Sequence, residues 1–174
     1  MKQQVMEQAL AALDASLPKP VTLLIGGGAA LLLAHKIRLE TLDIDAVPLT
    51  SALTPAELDP LVKAVARELK ISPHWLNDYF NTFTYTLPKD FRERLVPVFR
   101  GKNLTALALG REDLLIMKCF AGREKDIGHA RVLIRRGANT DMVRTHLQTF
   151  IDKGLPGADH AVRFLEDLLD EREV

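Results

Sequence analysis

The chain has 174 residues, 47% hydrophobic and 26% charged, which suits one folded domain and excludes a disordered chain. Lys plus Arg equals Asp plus Glu at 23 each, so zero formal charge gives no whole-chain attraction to nucleic acid or an anionic membrane. A single cysteine, Cys119, excludes a disulfide framework and fits a reducing compartment.

In chain order, Val5, Met6, Leu10 and Leu13 recur at helical spacing and predict an opening amphipathic helix, ended by Pro18 and Pro20. Its polar start lacks the basic-then-apolar order of a signal peptide. Val21 to Ile25 is a short apolar run between proline and glycine and predicts a buried strand. Gly26 to Gly28 predict a turn, and Ala29 to Ala34 a buried helix. The apolar stretch from Val21 to Ala34 is shorter than the roughly 20 residues that a membrane span needs, so no span is expected. Leu42 to Val47 alternates apolar and acidic residues, which predicts a strand with Leu42, Ile44 and Ala46 toward the core.

Thr54-Pro55-Ala56-Glu57 is a capping box, and the helix that it starts continues through Leu58, Leu61, Val62, Val65 and Leu69. Ser72-Pro73 predicts a further helical piece carrying Trp75 and Leu76. Leu95 to Phe99 and Leu104 to Leu109 predict two strands joined through Gly101-Lys102-Asn103. Four helices are then expected: Arg111 to Ala121, Lys125 to Arg136, Asp141 to Lys153 and Ala158 to Arg172. Gly137 and Gly154 stand at helix stops. The expected class is α+β, a small mixed β-sheet flanked by helices, with a helical C-terminal half. Residues 1–110 would form the sheet region and 111–174 the helical region of one compact domain.

The chemistry concentrates at two places. On a strand, Asp43 and Asp45 face the same side. Adjacent carboxylates repel unless a cation sits between them, and magnesium accepts one or two carboxylates plus substrate phosphates. A solvated edge strand explains the same pair. The break from strand through Gly26, Gly27 and Gly28 into helix exposes backbone N–H groups that favour phosphate. Tight packing at small residues explains that feature too. A P-loop is excluded, because Ala29, Ala30 and Leu31 stand where Lys and Ser or Thr belong. Cys119 falls in an apolar helix and reads as a small core residue, not a nucleophile.

The run Ile25-Gly26-Gly27-Gly28-Ala29, then Thr41, then Asp43-Ile44-Asp45, resembles the glycine turn and Asp-x-Asp of the polymerase-beta-like nucleotidyltransferase superfamily, in its AbiEii-like bacterial branch. Trp75-Leu76-Asn77-Asp78 is similar to a motif found after the sheet in that branch. Glu112 to Asp126 resembles its helical signature, with Lys118, Arg123 and Asp126 at the matching places. The resemblance implies a nucleotidyltransferase fold, a cytoplasmic setting and, for some members, toxin–antitoxin roles. It implies that Gly26, Gly27, Gly28 and Thr41 lie at the nucleotide, and that Asp43 and Asp45 hold Mg2+. Lys118 and Arg123 would bring positive charge to a nucleoside triphosphate. Asp126 would orient Arg123 or serve as base. The acceptor is left open among RNA, protein and small molecule, and the partner between an antitoxin and a second copy; no membrane is expected. Catalytic members carry a third carboxylate on a later strand, whereas Leu104 to Leu109 holds no acid. Two functions therefore stand: nucleotidyl transfer, or a catalytically degenerate fold acting as a binding module.

Overall fold

The computed structural model describes residues 1–170, so Arg172, the expected end of the last helix, lies outside the described residues. The chain divides into two compact units. Among the described residues, the first comprises Met1–Asn81 with Leu95–Leu109, and the second comprises Thr82–Arg94 with residues 110–170.

The first unit is built on a five-stranded mixed sheet in the order β3-β2-β1-β5-β4. Its strands are β1 (Val21–Ile25), β2 (Ile44–Ser51), β3 (Leu76–Asn77), β4 (Val96–Arg100) and β5 (Leu104–Ala108). At the centre, β1 pairs antiparallel with β2 and parallel with β5, and β4 closes one edge antiparallel to β5. The apolar character of β1 follows from this central place, where Val21, Leu23, Leu24 and Ile25 are all buried. Pro48 cannot donate to the ladder, and the β1–β2 register shifts beside it, between Thr22 and Leu23.

Three helices belong to this unit: α1 (Gln3–Ser16), α2 (Gly27–Leu33) and α3 (Pro55–Leu69). α1 buries Met6, Ala9, Leu10 and Leu13, the stripe that its periodicity predicts apart from a half-buried Val5. α3 opens on the expected capping box: Glu57 N–H donates to Thr54 Oγ1 (3.3 Å), and Thr54 N–H donates to Glu57 Oε2 (2.7 Å). The Asp14 carboxylate on α1 accepts three backbone N–H groups of the β4–β5 turn, from Lys102 (3.0 Å), Asn103 (2.7 Å) and Leu104 (2.7 Å).

Two expectations are corrected here. β2 begins at Ile44, so Asp43 precedes the strand and Leu42, expected in the core, is 86% exposed. The cause is local: Thr41 Oγ1 donates to the Asp43 carbonyl (3.1 Å) and bends the chain before pairing begins. The segment after Ser72-Pro73 is a turn leading into edge strand β3, not a helix. Trp75 drives that outcome. Fully buried, it donates Nε1–H to the Val62 carbonyl of α3 (2.9 Å), while its own carbonyl accepts Ile44 N–H (2.6 Å).

The second unit holds α4 (Arg111–Ala121), α5 (Glu124–Arg135), α6 (Thr140–Asp152) and α7 (Ala158–Asp170). Leu114, Leu115, Leu133, Val143, Leu147 and Leu165 supply its core, and α4 packs against each of the other three helices. Gly137 and Gly154 follow α5 and α6 with positive φ, as expected of helix stops. Cys119 is buried, and burial pushes its thiol up to about 12, which keeps it protonated and unreactive. No helix among the described residues is long and apolar enough to cross a membrane.

Candidate functional site

In the first unit, the glycine turn follows directly from β1. Gly26 N–H donates to the Asp45 carbonyl (2.9 Å), which pins the turn to β2. Gly27 takes a left-handed conformation, φ +57°, that L side chains rarely adopt. A Cβ at Gly27 would also overlap the Asp45 carboxylate. At Gly28, a Cβ would stand 3.1 Å from Thr41 Oγ1, and at Gly26 it would press on the Phe80 ring at 2.9 Å. The glycines therefore let Asp45, Thr41 and Phe80 approach the backbone closely. The fold thus brings Gly26, Gly27, Gly28, Thr41 and Asp45 to one place. Asp43 is tied in through the Thr41 hydroxyl on its carbonyl. Asp43 and Asp45 are both half-buried, while Ile44 between them is fully buried. α2 is only seven residues long, so the turn contributes through its backbone shape more than through a helix dipole.

β3 adds what the sequence reading did not supply. It pairs parallel with β2, with Ile44 opposite Leu76 and Asp45 opposite Asn77. Residues paired in this way point to the same face, so Asn77 stands beside Asp45. Asn77 Oδ1 accepts Tyr79 N–H (3.0 Å), and one residue further on Phe80 reaches Gly26. A usable signal lay in the sequence: Asn77-Asp78 is a turn-forming pair directly after two apolar residues, which suits a strand end better than a helix interior.

The second unit gathers the other sequence-predicted residues. Asp126 has no exposed surface, and Lys118 is 6% exposed. Lys118 Nζ donates to Asp126 Oδ1 (2.5 Å), and Arg123 donates through Nε to Oδ2 (2.7 Å) and through Nη2 to Oδ1 (3.3 Å). Burial pushes the Asp126 carboxyl up, but the bonds from Arg123 and Lys118 outweigh it and hold the group below the usual carboxylate range. A carboxylate so held is a weak base; what the geometry offers is orientation of Arg123. Next to this cluster, His129 Nδ1 is buried with no hydrogen-bond partner among the described residues. Burial, with the Lys118 charge behind it, pulls its imidazole down from the ordinary value.

Within either unit, no group of three or more His, Cys, Asp or Glu side chains among the described residues is placed to hold a metal. Asp43 and Asp45 supply two half-buried carboxylates, the number that magnesium accepts when water and substrate phosphates complete its shell.

No curated protein and no solved structure matches the chain. A family model does match, over residues 3–144, and it spans both the glycine turn with its aspartates and the Lys118–Asp126 cluster. That extent covers most of the sequence and agrees with the mixed sheet flanked by helices, so the chain belongs to the family described as nucleotidyltransferase of unknown function (DUF6036).

Proposed function

We propose that the chain transfers a nucleotidyl group from a nucleoside triphosphate to an acceptor hydroxyl, as a member of the AbiEii-like branch. One observation carries this reading: the Asp45 carboxylate lies against Gly27, so the groups suited to a metal and to a phosphate meet at one point of the sheet. In the reaction, the acceptor hydroxyl gives up its proton to solvent as its oxygen forms a bond to the α-phosphorus. The bond from that phosphorus to the bridging oxygen breaks, and pyrophosphate leaves. Asp43 and Asp45 would hold Mg2+, which when bound neutralises charge on the phosphate oxygens. Gly26, Gly27 and Gly28 leave room for Phe80, Asp45 and Thr41 to close on the turn, which holds the Asp45 carboxylate at the turn backbone where the phosphates would lie, and Thr41 keeps the turn and the Asp43 backbone in register. Asp126 orients Arg123, and Lys118 supports the same carboxylate. The acceptor class stays open among RNA, protein and small molecule. A cytoplasmic toxin paired with an antitoxin, or with a second copy, is the setting that this branch suggests.

A second reading has its own observation. Lys118, Arg123 and Asp126 satisfy one another, so the fold could persist as a binding module after catalysis is lost. Calorimetric titration of each nucleoside triphosphate with Mg2+ into wild type and D43N/D45N separates the two. Transfer predicts binding that the double change abolishes. Equal binding, or none in either protein, favours the module.

A further inference from the structure

Beyond the glycines and aspartates, one side chain is bound into the same corner by two separate structural links. Asn77 stands opposite Asp45 across the β2–β3 ladder, on the same face of the sheet. The chain that leaves Asn77 returns Phe80 onto Gly26, so the sheet edge and the glycine turn form one wall. Trp75 anchors the segment from the other side through its bond to Val62.

We propose that Asn77 is a substrate-binding residue whose amide donates to a phosphate oxygen of the nucleotide; this rests on the nucleotidyl-transfer reading. Its Oδ1 is committed to Tyr79 N–H (3.0 Å), which fixes the orientation of the amide. The Nδ2 hydrogens have no protein partner among the described residues, and the residue is half-buried, with its Oδ1 bond to Tyr79 N–H open to solvent. An amide suits this place chemically. A triphosphate approaching Asp43 and Asp45 meets two negative groups, and a neutral donor beside them holds an oxygen without competing as a metal ligand. A carboxylate there would add a third negative charge. Asp78 does not fill the role: it follows β3 and is exposed.

The discriminating variant is Asn77→Asp. It keeps an acceptor for Tyr79 N–H, so the turn is retained, but it removes both amide donors. ATP, GTP, CTP and UTP, each with Mg2+, are titrated into wild type, N77D and D43N/D45N, and Mg2+ alone is titrated into wild type and N77D. The expected result is a loss of about tenfold or more in nucleotide affinity for N77D, the scale of one hydrogen bond to a charged group, with an unchanged melting temperature. Asn77→Ala, read below its own melting transition, shows the same loss. Nucleotide binding by N77D equal to or tighter than wild type overturns the assignment, as does a gain in Mg2+ affinity that restores nucleotide binding. If wild type binds none of the four nucleotides, the transfer reading fails and this assignment falls with it. If D43N/D45N loses binding while N77D keeps it, the assignment of Asn77 alone fails.

Discussion

Gly27 and Asp45 occupy each other's space: the left-handed glycine leaves the volume that the Asp45 carboxylate fills. Gly27→Ala therefore adds a strained φ and a clash at once. Strain of this kind costs about 1–3 kcal/mol. Urea unfolding should show a loss on that scale, with nucleotide affinity falling as Asp45 is displaced. A G27A protein as stable as wild type, with intact binding, would show that the close approach is incidental.

Asp126 is a buried anion held by two cations, and its replacement by Asn removes the charge that both were gathered around. Breaking a buried ion pair on one side costs about 3–5 kcal/mol. Thermal unfolding of D126N should show that loss, with Lys118 left buried and uncompensated. Because its folded pKa lies below the ordinary value of 3.8, its stabilisation is present above that pH and lost as pH falls through the folded value. A group acting only as a base would behave differently: D126N would melt like wild type and lose turnover alone.

His129 sets a second pH window. Its folded pKa is depressed below the ordinary 6.5, so the unfolded chain takes up a proton first as pH falls. Its contribution to stability is thus complete above about that value and is lost below it. Urea midpoints should drop between pH 7.5 and 5.5 in wild type, and His129→Gln should flatten that drop. An equal drop in both proteins would assign the window to other groups.

Much of this was legible in the sequence, for identifiable reasons. β1, the capping box at Thr54 and the stops at Gly137 and Gly154 all rest on local signals that packing did not override. The meeting of the glycine turn with Asp45 was legible because the strand pattern and the glycines lie close in sequence. Leu42 and the segment after Ser72 were not. Leu42 fits the alternation of β2, but a hydroxyl-to-carbonyl bond one residue away bends it into solvent. Asn77 belongs to a two-residue strand, which exists only because Ile44 and Asp45 offer it an edge. Periodicity cannot reveal a strand of that length. The Lys118–Arg123–Asp126 cluster was visible as a motif, but its burial was not, because charged residues close in sequence ordinarily form a solvated surface.

Asp14 is a prediction from the same principle of long-range pairing. It caps three backbone N–H groups nearly ninety positions away in the chain. Burial raises its pKa, but those bonds outweigh it and leave the carboxyl below its usual range. Asp14→Ala strands the donors of the β4–β5 turn and should cost about 1–2 kcal/mol by urea unfolding. A change below a few tenths of that range would mean that water replaces the carboxylate without loss.

The central claim is a metal-dependent nucleotide site at Gly27, Asp43 and Asp45. Its most direct test is the electron paramagnetic resonance signal of Mn2+, used in place of Mg2+, titrated with each nucleoside triphosphate in the presence of protein. The account predicts that wild type yields a protein-bound Mn2+ population that requires nucleotide, and that this population disappears in D43N/D45N while the fold is retained. A wild-type spectrum identical to that of Mn2+-nucleotide without protein, or a bound population undiminished in D43N/D45N, would contradict it.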